Sequence, residues 1–303
     1  MKKGQNGLKK YIVAEKYADM TVEDYLKSVV KISSRTRQRL FRSKNVFLNG
    51  SPVHTKRKLK GNDMVAVRTL SDSNYGVVPQ IGPVDILYED EAVVVLNKSA
   101  GMLVHPAGQT NNFTLANYLA GYYKEKGQVI TIRPIHRLDR DTTGCVLFAK
   151  SSEYQTKLEN QLKCGTIHRK YVALIMGTGI EKDFPDGCIN KNIGRVPGKP
   201  NRRQADDKGK TAITHFSLME RLDQYSLLEL WLETGRTHQI RVHMSYAGYP
   251  VVGDKMYGTP SRLIGRQALH ASEIQFCHPV SGEIVTVVAS MPMDMKECMK
   301  RLQ

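Results

Sequence analysis

From Val84 to the C-terminus, apolar residues come in short continuous or alternating blocks, and these predict strands: VDILYED, AVVVLNK, GCVLFAK, IHRKYVALIM, SLLELWLET and EIVTVVA. Elsewhere the period lengthens to that of a helix. In SSEYQTKLENQLKCG the residues Tyr154, Leu158 and Leu162 share one face, and Gly165 can end the helix. THQIRVHMSYAG reads as a shorter helix ending at Gly248, with His238, Arg241 and Ser245 along one side and Ile240, Met244 and Ala247 along the other. Several strands follow one another with no helix between them. That order favours a mixed, largely antiparallel sheet with helices packed against it over a regular doubly wound fold.

The N-terminal pattern is different. TVEDYLKSVV predicts a helix with Val22, Tyr25, Leu26 and Val29 on one face, and SSRTRQRLFRSKN a second helix entered through a serine cap. VFLNGSPV follows with an Asn-Gly turn between short strands, and KLKGNDMVAV closes with another turn and an apolar strand. The stretch SDSNYGVVPQIGP collects Ser, Asn, Gly and Pro and reads as a linker. The expectation is therefore an α+β protein: a small N-terminal α/β domain over 15–70, a linker over 71–83, and a large domain over 84–303. There is no internal repeat and no low-complexity tract.

Composition sharpens this outline. A chain of 303 residues, 41% hydrophobic, can bury a sizeable core, and a net charge of +16 points to a polyanionic partner, nucleic acid or an anionic membrane surface. The distribution of charge favours nucleic acid. Between Lys31 and Leu70 eleven Lys or Arg face one acid, Asp63, a net of +10 on a short structured segment. Like charge at that density repels itself unless an anion is bound, so Arg35, Arg37, Arg39, Arg42, Lys44, Lys56 and Arg57 are candidate phosphate contacts. The five cysteines are odd in number and widely spaced, without metal-ligand spacing, and read as reduced thiols. No apolar run reaches the roughly 18–20 residues of a membrane span, and MKKGQNGLKK leads into a polar segment rather than an apolar signal core. The expected setting is the cytoplasm, as a monomer.

Candidate chemistry concentrates in three places. HRLDRDTTG, residues 136–144, packs charge between the apolar flanks VITIRPI and CVLFAK, and Asp139 falls at a bend held by Thr142, Thr143 and Gly144. Taken alone, Arg137, Asp139, Arg140 and Asp141 are also compatible with surface ion pairs. In LETGRTHQIRVHMSYAGYPVVGD, Arg241 sits on the short helix, where a guanidinium can grip a carboxylate by two hydrogen bonds, although the same periodicity suits a solvated face. In HRKYVALI, Tyr171 opens an apolar strand, a position usually given to the core. There is no GxGxxG after a strand, no Walker loop, no HExxH and no GxSxG.

Together, HRLDRDTTG, KYVALI, GKTAITHF and GRTHQIRVHMSYAGYPVVGDKMYG resemble the signature segments of RNA pseudouridine synthases of the RluA/RluD type. LNKSAGMLVHPAG and LHASEIQFCHPVSGE extend the resemblance, and residues 20–70 resemble an S-four-type RNA-binding domain. The likeness runs from about Val22 to Pro292, with Ser99 where a proline is common and Thr143 where serine is common. It implies the pseudouridine synthase fold, no cofactor or metal, and a structured RNA substrate, ribosomal RNA first and transfer RNA second. It further implies that Asp139 is the catalytic aspartate, Tyr171 a tyrosine against the target base, Arg241 the partner of Asp139, and Arg137 a filler of the space left by an extruded nucleotide. Whether the aspartate attacks the sugar, attacks the base or deprotonates the ribose stays open at this level. Two rival readings are a non-catalytic RNA-binding factor and a hydrolase. The hydrolase would want a second acid or metal carboxylates, and Asp141 is the only neighbour on offer.

Overall fold

The computed structural model describes residues 8–68 and 72–302, which divide into an N-terminal unit ending at Asp72 and a larger unit from Ser73 onward. The N-terminal unit contains β1 (Leu8–Ile12), α1 (Val22–Ser28), α2 (Ser34–Arg42), β2 (Val46–Leu48), β3 (Ser51–Pro52) and β4 (Met64–Arg68), with an antiparallel sheet in the order β1-β4-β2-β3. Thr21 and Ser33 cap the two helices by accepting from the backbone N–H three residues on. Asn49 and Gly50 both have positive φ, as a tight hairpin between β2 and β3 requires. The helices close over one face of the sheet through Val22, Tyr25, Leu26 and Leu40, which pack with Val46, Val65 and Val67. The unit begins earlier than the expected residue 15, because β1 pairs along the whole of β4. Its sequence, LKKYI, is too short and too charged to signal a strand by alternation.

The larger unit opens with β5 (Ile86–Glu89), β6 (Val93–Lys98), α3 (Leu115–Glu125), β7 (Arg133–Pro134), β8 (Thr143–Ala149) and α4 (Ser152–Lys163). It continues through β9 (His168–Met176), α5 (Ile180–Asp183), β10 (Cys188–Asn190), β11 (Ile193–Val196), β12 (Lys199–Ala205), β13 (Ile213–Leu222) and β14 (Tyr225–Leu232). The last elements are α6 (Gln239–Tyr246), β15 (Leu269–Cys277), β16 (Ile284–Val288) and α7 (Met293–Lys300). One sheet runs β10-β13-β14-β9-β15-β8-β6-β5, with β16 added to β15 and β7 to β8, while β11 and β12 form a separate hairpin. Every pairing in it is antiparallel except that of β15 with β8. The mixed, largely antiparallel sheet expected from the strand spacing is therefore present.

The unbroken apolar runs of β6 and β8 have a structural cause. Val94, Leu96, Val146 and Phe148 face one core with Leu115, Leu119 and Tyr123 of α3, whereas Val93, Val95, Cys145 and Leu147 face a second core with Leu158 of α4. Strands covered on both faces have no polar side to show. The stretch expected as a linker is docked rather than free, apart from Ser71, which lies outside the described residues. Asn117 donates to Val78 O at 2.8 Å, Gln80 N donates to Asn117 O, and Gly121 leaves room for the Gln80 backbone where a Cβ would approach to 2.0 Å. Within the stretch, Gly82 leaves room for the Tyr118 ring of α3, 2.2 Å from where a Cβ would lie.

Three histidines brace this unit as neutral rings. His136 Nε2 accepts from Leu147 N, His243 bridges Thr214 Oγ1 and Lys191 O, and His270 bridges Thr143 Oγ1 and Ala289 O. Burial depresses all three pKa values, that of His136 to about 3. A base whose folded pKa is depressed contributes stability that is complete above its unfolded value of about 6.5 and drains away as pH falls toward the folded value. The larger unit should therefore lose unfolding free energy steadily from about pH 6.5 to about pH 4. Urea titrations at a series of pH values should show this, with a shallower dependence in His243→Gln.

Candidate active site

Asp139 lies in the loop between β7 and β8, its carbonyl accepting from Thr142 N to close the bend. The loop is fixed at both ends. On the downstream side, Thr143 and Gly144 begin β8 and pair in parallel with His270 and Ala271. Gly144 has φ +109°, and a Cβ there would lie 2.1 Å from Ala271 O, so the TTG segment needs its glycine for both backbone conformation and space. On the upstream side Ile135 N donates to Leu147 O at 2.9 Å, and just after Asp139 the buried Lys98 at the end of β6 donates to Arg140 O as well as to Ser99 O and Met102 O, at 2.7–2.9 Å. Burial pushes its pKa down to about 7 against the pull of Asp141 and Asp139. The carbonyl of Ser99 is thus tied down by its neighbour.

Arg241 approaches from the first turn of α6. Its Nε and Nη2 donate to Asp254 Oδ2 and Oδ1 at 2.6 and 2.8 Å, and its remaining Nη1 donates to Asp139 Oδ2 at 3.0 Å. Asp254 has no exposed surface and also accepts from Met256 N and Tyr257 N. Burial raises its pKa, but the Arg241 hydrogen bonds and charge outweigh this and the net shift is downward. The polar side of the α6 periodicity thus points inward, and the reading of it as a solvated face is excluded by the burial of Arg241.

Tyr171 on β9 is buried, and burial raises the pKa of its phenol. It lines the same cavity, of about 420 Å³, as Asp139, Arg241 and Arg137. The four residues assigned to the centre from sequence therefore meet in one place. Arg137 is exposed, and with Lys163, Arg169 and Arg236 it adds positive charge to the cavity lining. His238, at the start of α6, has a left-handed backbone (φ 59°) and places Nε2 3.8 Å from Asp139 Oδ1. Sequence reasoning did not assign roles to Asp254, Tyr257, Lys98 or His238. The signal for Asp254 was present in GYPVVGD, an acid ending an apolar segment, but nothing local names its partner.

The basic residues of the N-terminal unit separate into two groups. Arg39, Arg42, Lys44, Lys56 and Arg57 are exposed, as phosphate contacts would need to be. Arg37 is buried, with Nη1 on Ile32 O and Nη2 on Ser34 Oγ and with Glu23 4.0 Å from Nε. Its expected place facing phosphate is corrected: the α2 periodicity turns it into the fold, where it satisfies a carbonyl at the helix entrance. The side chain of Arg35 lies outside the described residues.

An ionisable carboxylate gripped by a buried arginine beside a buried tyrosine, in a cationic cavity on a mixed sheet, defines an enzyme that acts on a polyanion without requiring a second acid. Residues 92–246 match the family described as RNA pseudouridylate synthase, and residues 10–65 match the RluD ribosomal pseudouridine synthase N-terminal domain. The chain belongs to the RNA pseudouridylate synthase family. It is 37% identical over 276 residues to ribosomal large subunit pseudouridine synthase D of Xylella fastidiosa, covering 86% of this chain and 82% of that protein. It is 38% identical over 287 residues to the uncharacterized RNA pseudouridine synthase YhcT of Bacillus subtilis, covering 94% of each. Among solved structures, human RNA pseudouridylate synthase domain containing 1 superimposes with a TM-score of 0.57 at 25% identity, over 72% of this chain and 89% of that one.

The Arg241–Asp254 pair can be tested directly. Asp254→Asn leaves a buried guanidinium short of a counter-charge, a change that costs about 3–5 kcal/mol in comparable settings. Urea denaturation should register a loss of that order, and turnover should fall with it as Arg241 loses its fixed direction.

Proposed function

We propose that this chain converts specific uridines of structured RNA to pseudouridine, with large-subunit ribosomal RNA as its substrate and Asp139 as the group that meets the target nucleoside. The carrying observation is the convergence of Asp139, Tyr171 and Arg241 on one cavity. The choice of ribosomal RNA is supported by the likeness to the Xylella ribosomal large subunit pseudouridine synthase D. Among the described residues no helix is long and apolar enough to cross a membrane, and we assign the protein to the cytoplasm.

The reaction breaks the bond from uracil N1 to ribose C1′, turns the base and forms a bond from C5 to C1′. N1 gains a proton and C5 loses one, so the product is an isomer and no electron donor is consumed. Attack on the sugar, attack on the base and ribose deprotonation all need a carboxylate oxygen left open to substrate. Arg241 occupies Oδ2, and among the described residues no donor lies within 3.5 Å of Oδ1. Tyr171 presents a neutral phenol to the base. A stacked uridine cannot reach a recessed carboxylate, so the nucleotide is flipped out, at a cost of roughly a few kcal/mol. Arg137, exposed at the cavity, fits the role of filling the vacated space. Exposed cations of the N-terminal unit help offset the cost through phosphate contacts.

Asp139→Asn should reduce tritium release from RNA labelled at uracil C5 by at least about a thousandfold while RNA binding persists. Retained turnover would remove the assignment. Pseudouridine mapping in ribosomal and transfer RNA from a strain lacking the protein identifies the target. Replacing Arg39, Arg42, Lys56 and Arg57 together with alanine should weaken RNA binding and lower the slope of log affinity against log salt by about 3, at roughly 0.7–0.9 per lost contact.

A further inference from the structure

The β11–β12 hairpin lies outside the chemistry described so far. Residues 191–210 carry seven Lys or Arg and two Asp, a net of +5 in twenty residues. Arg195 and Arg203 stand directly opposite each other across the two strands, an arrangement that like charges destabilise unless an anion sits between them. Lys199 and Arg202 are exposed, and among the described residues neither they nor Arg195 have a carboxylate partner, whereas Lys191 pairs with Asp207. Between this hairpin and α6 lies a cavity of about 290 Å³, lined by Arg202, Arg203, Ser245, Tyr246 and Tyr257 among others. Tyr246 is 51% exposed, with Lys191 Nζ 5.5 Å from its ring centroid and Arg202 on the same cavity. A flat aromatic face next to cations is the combination that takes a nucleotide, the base by stacking and the phosphate by charge.

This second cavity is wired to the first. Arg203 N on β12 donates to Tyr257 Oη at 2.8 Å, and Tyr257 Oη lies 2.8 Å from His238 Nδ1. The phenol oxygen accepts from the hairpin amide and its own O–H can donate to Nδ1, an arrangement in which a neutral His238 carries its hydrogen on Nε2. That N–H is the one 3.8 Å from Asp139 Oδ1. Burial lowers the His238 pKa and raises that of Tyr257, so both groups are in the neutral forms the chain of hydrogen bonds requires. Arg202 and Arg241 both lie over the Tyr257 ring, at 5.7 and 5.1 Å from its centroid.

We propose that the cavity between β11–β12 and α6 binds a nucleotide of the substrate RNA flanking the target, and that its seating is relayed through Tyr257 to His238, a positioning residue that directs Nε2–H at Asp139. The proposal rests on the reading of Asp139 as the group that meets the flipped uridine. A nucleotide seated on the hairpin holds the β12 backbone, and thereby the amide that sets the Tyr257 proton. The relay gives the site a means of reading the neighbourhood of the target as well as the target itself.

Two variants separate the parts. Arg202→Ala with Tyr246→Ala, both exposed, should raise the Kd for a structured RNA substrate about tenfold or more and lower the salt slope by about 0.7–0.9. Tyr257→Phe keeps the ring but removes the relay. It should lower kcat about tenfold with the RNA Kd changed less than about twofold, an effect on a step after binding. In 15N spectra of histidine-labelled protein, with the His238 signals identified by their loss in His238→Gln, the wild type should show protonated Nε2 and unprotonated Nδ1, and Tyr257→Phe should shift toward the other tautomer. Unchanged RNA affinity in the first variant, or a His238 tautomer indifferent to Tyr257, overturns the proposal. Neither result bears on Asp139, whose own substitution reads out by tritium release.

Discussion

A single guanidinium between two carboxylates governs the centre of this enzyme. Asp254 is fully removed from water and needs a cation, and Arg241 gives it two of its nitrogens in a planar fork. The remaining nitrogen, Nη1, reaches Asp139 at 3.0 Å. The division of labour is unequal for a reason. The buried acid fixes where the arginine points, and Asp139, the proposed catalytic acid, is held by one oxygen while the other stays open. An arginine satisfied by Asp139 alone would be free to follow that side chain; one anchored from behind cannot.

The same economy shapes the loop that carries Asp139. Lys98 ties the carbonyl of Arg140 from one side, and the close contact of Gly144 with Ala271 pins the other. Neither residue lines the cavity that holds Asp139, yet both fix the chain that leaves the aspartate. Of the charges in HRLDRDTTG, Arg137 and Asp139 line the cavity, while Arg140 and Asp141 are held through their carbonyls by Lys98 and Arg266. The density of charge between two apolar flanks is explained by the loop's job of lifting a carboxylate out of a core.

Much of this was legible in the sequence. The blocks AVVVLNK and GCVLFAK became β6 and β8, the period of Tyr154, Leu158 and Leu162 became α4, and the Asn-Gly pair became a hairpin. Asp139, Tyr171 and Arg241 were reachable because each sits in a segment with its own local signature. What could not be read was pairing over distance. Nothing about Asp254 in sequence says that it answers Arg241, since thirteen residues separate them across a helix end and a turn. The hairpin of β11 and β12 was missed because KNIGRVPGKPNRRQAD has too few apolar residues to alternate. Arg37 was misread because charge alone does not tell which face of α2 turns inward; its contacts to Ile32 and Ser34 do.

The position of β15 has a consequence for how the protein is made. This strand wedges between β8 and β9, although both precede it by about a hundred residues or more in the chain. During synthesis, Asp139, Tyr171 and Arg241 all leave the ribosome before the strand that sets β8 and β9 at their final spacing. A nascent polypeptide ending short of Leu269 holds all three side chains but lacks the strand that spaces β8 from β9.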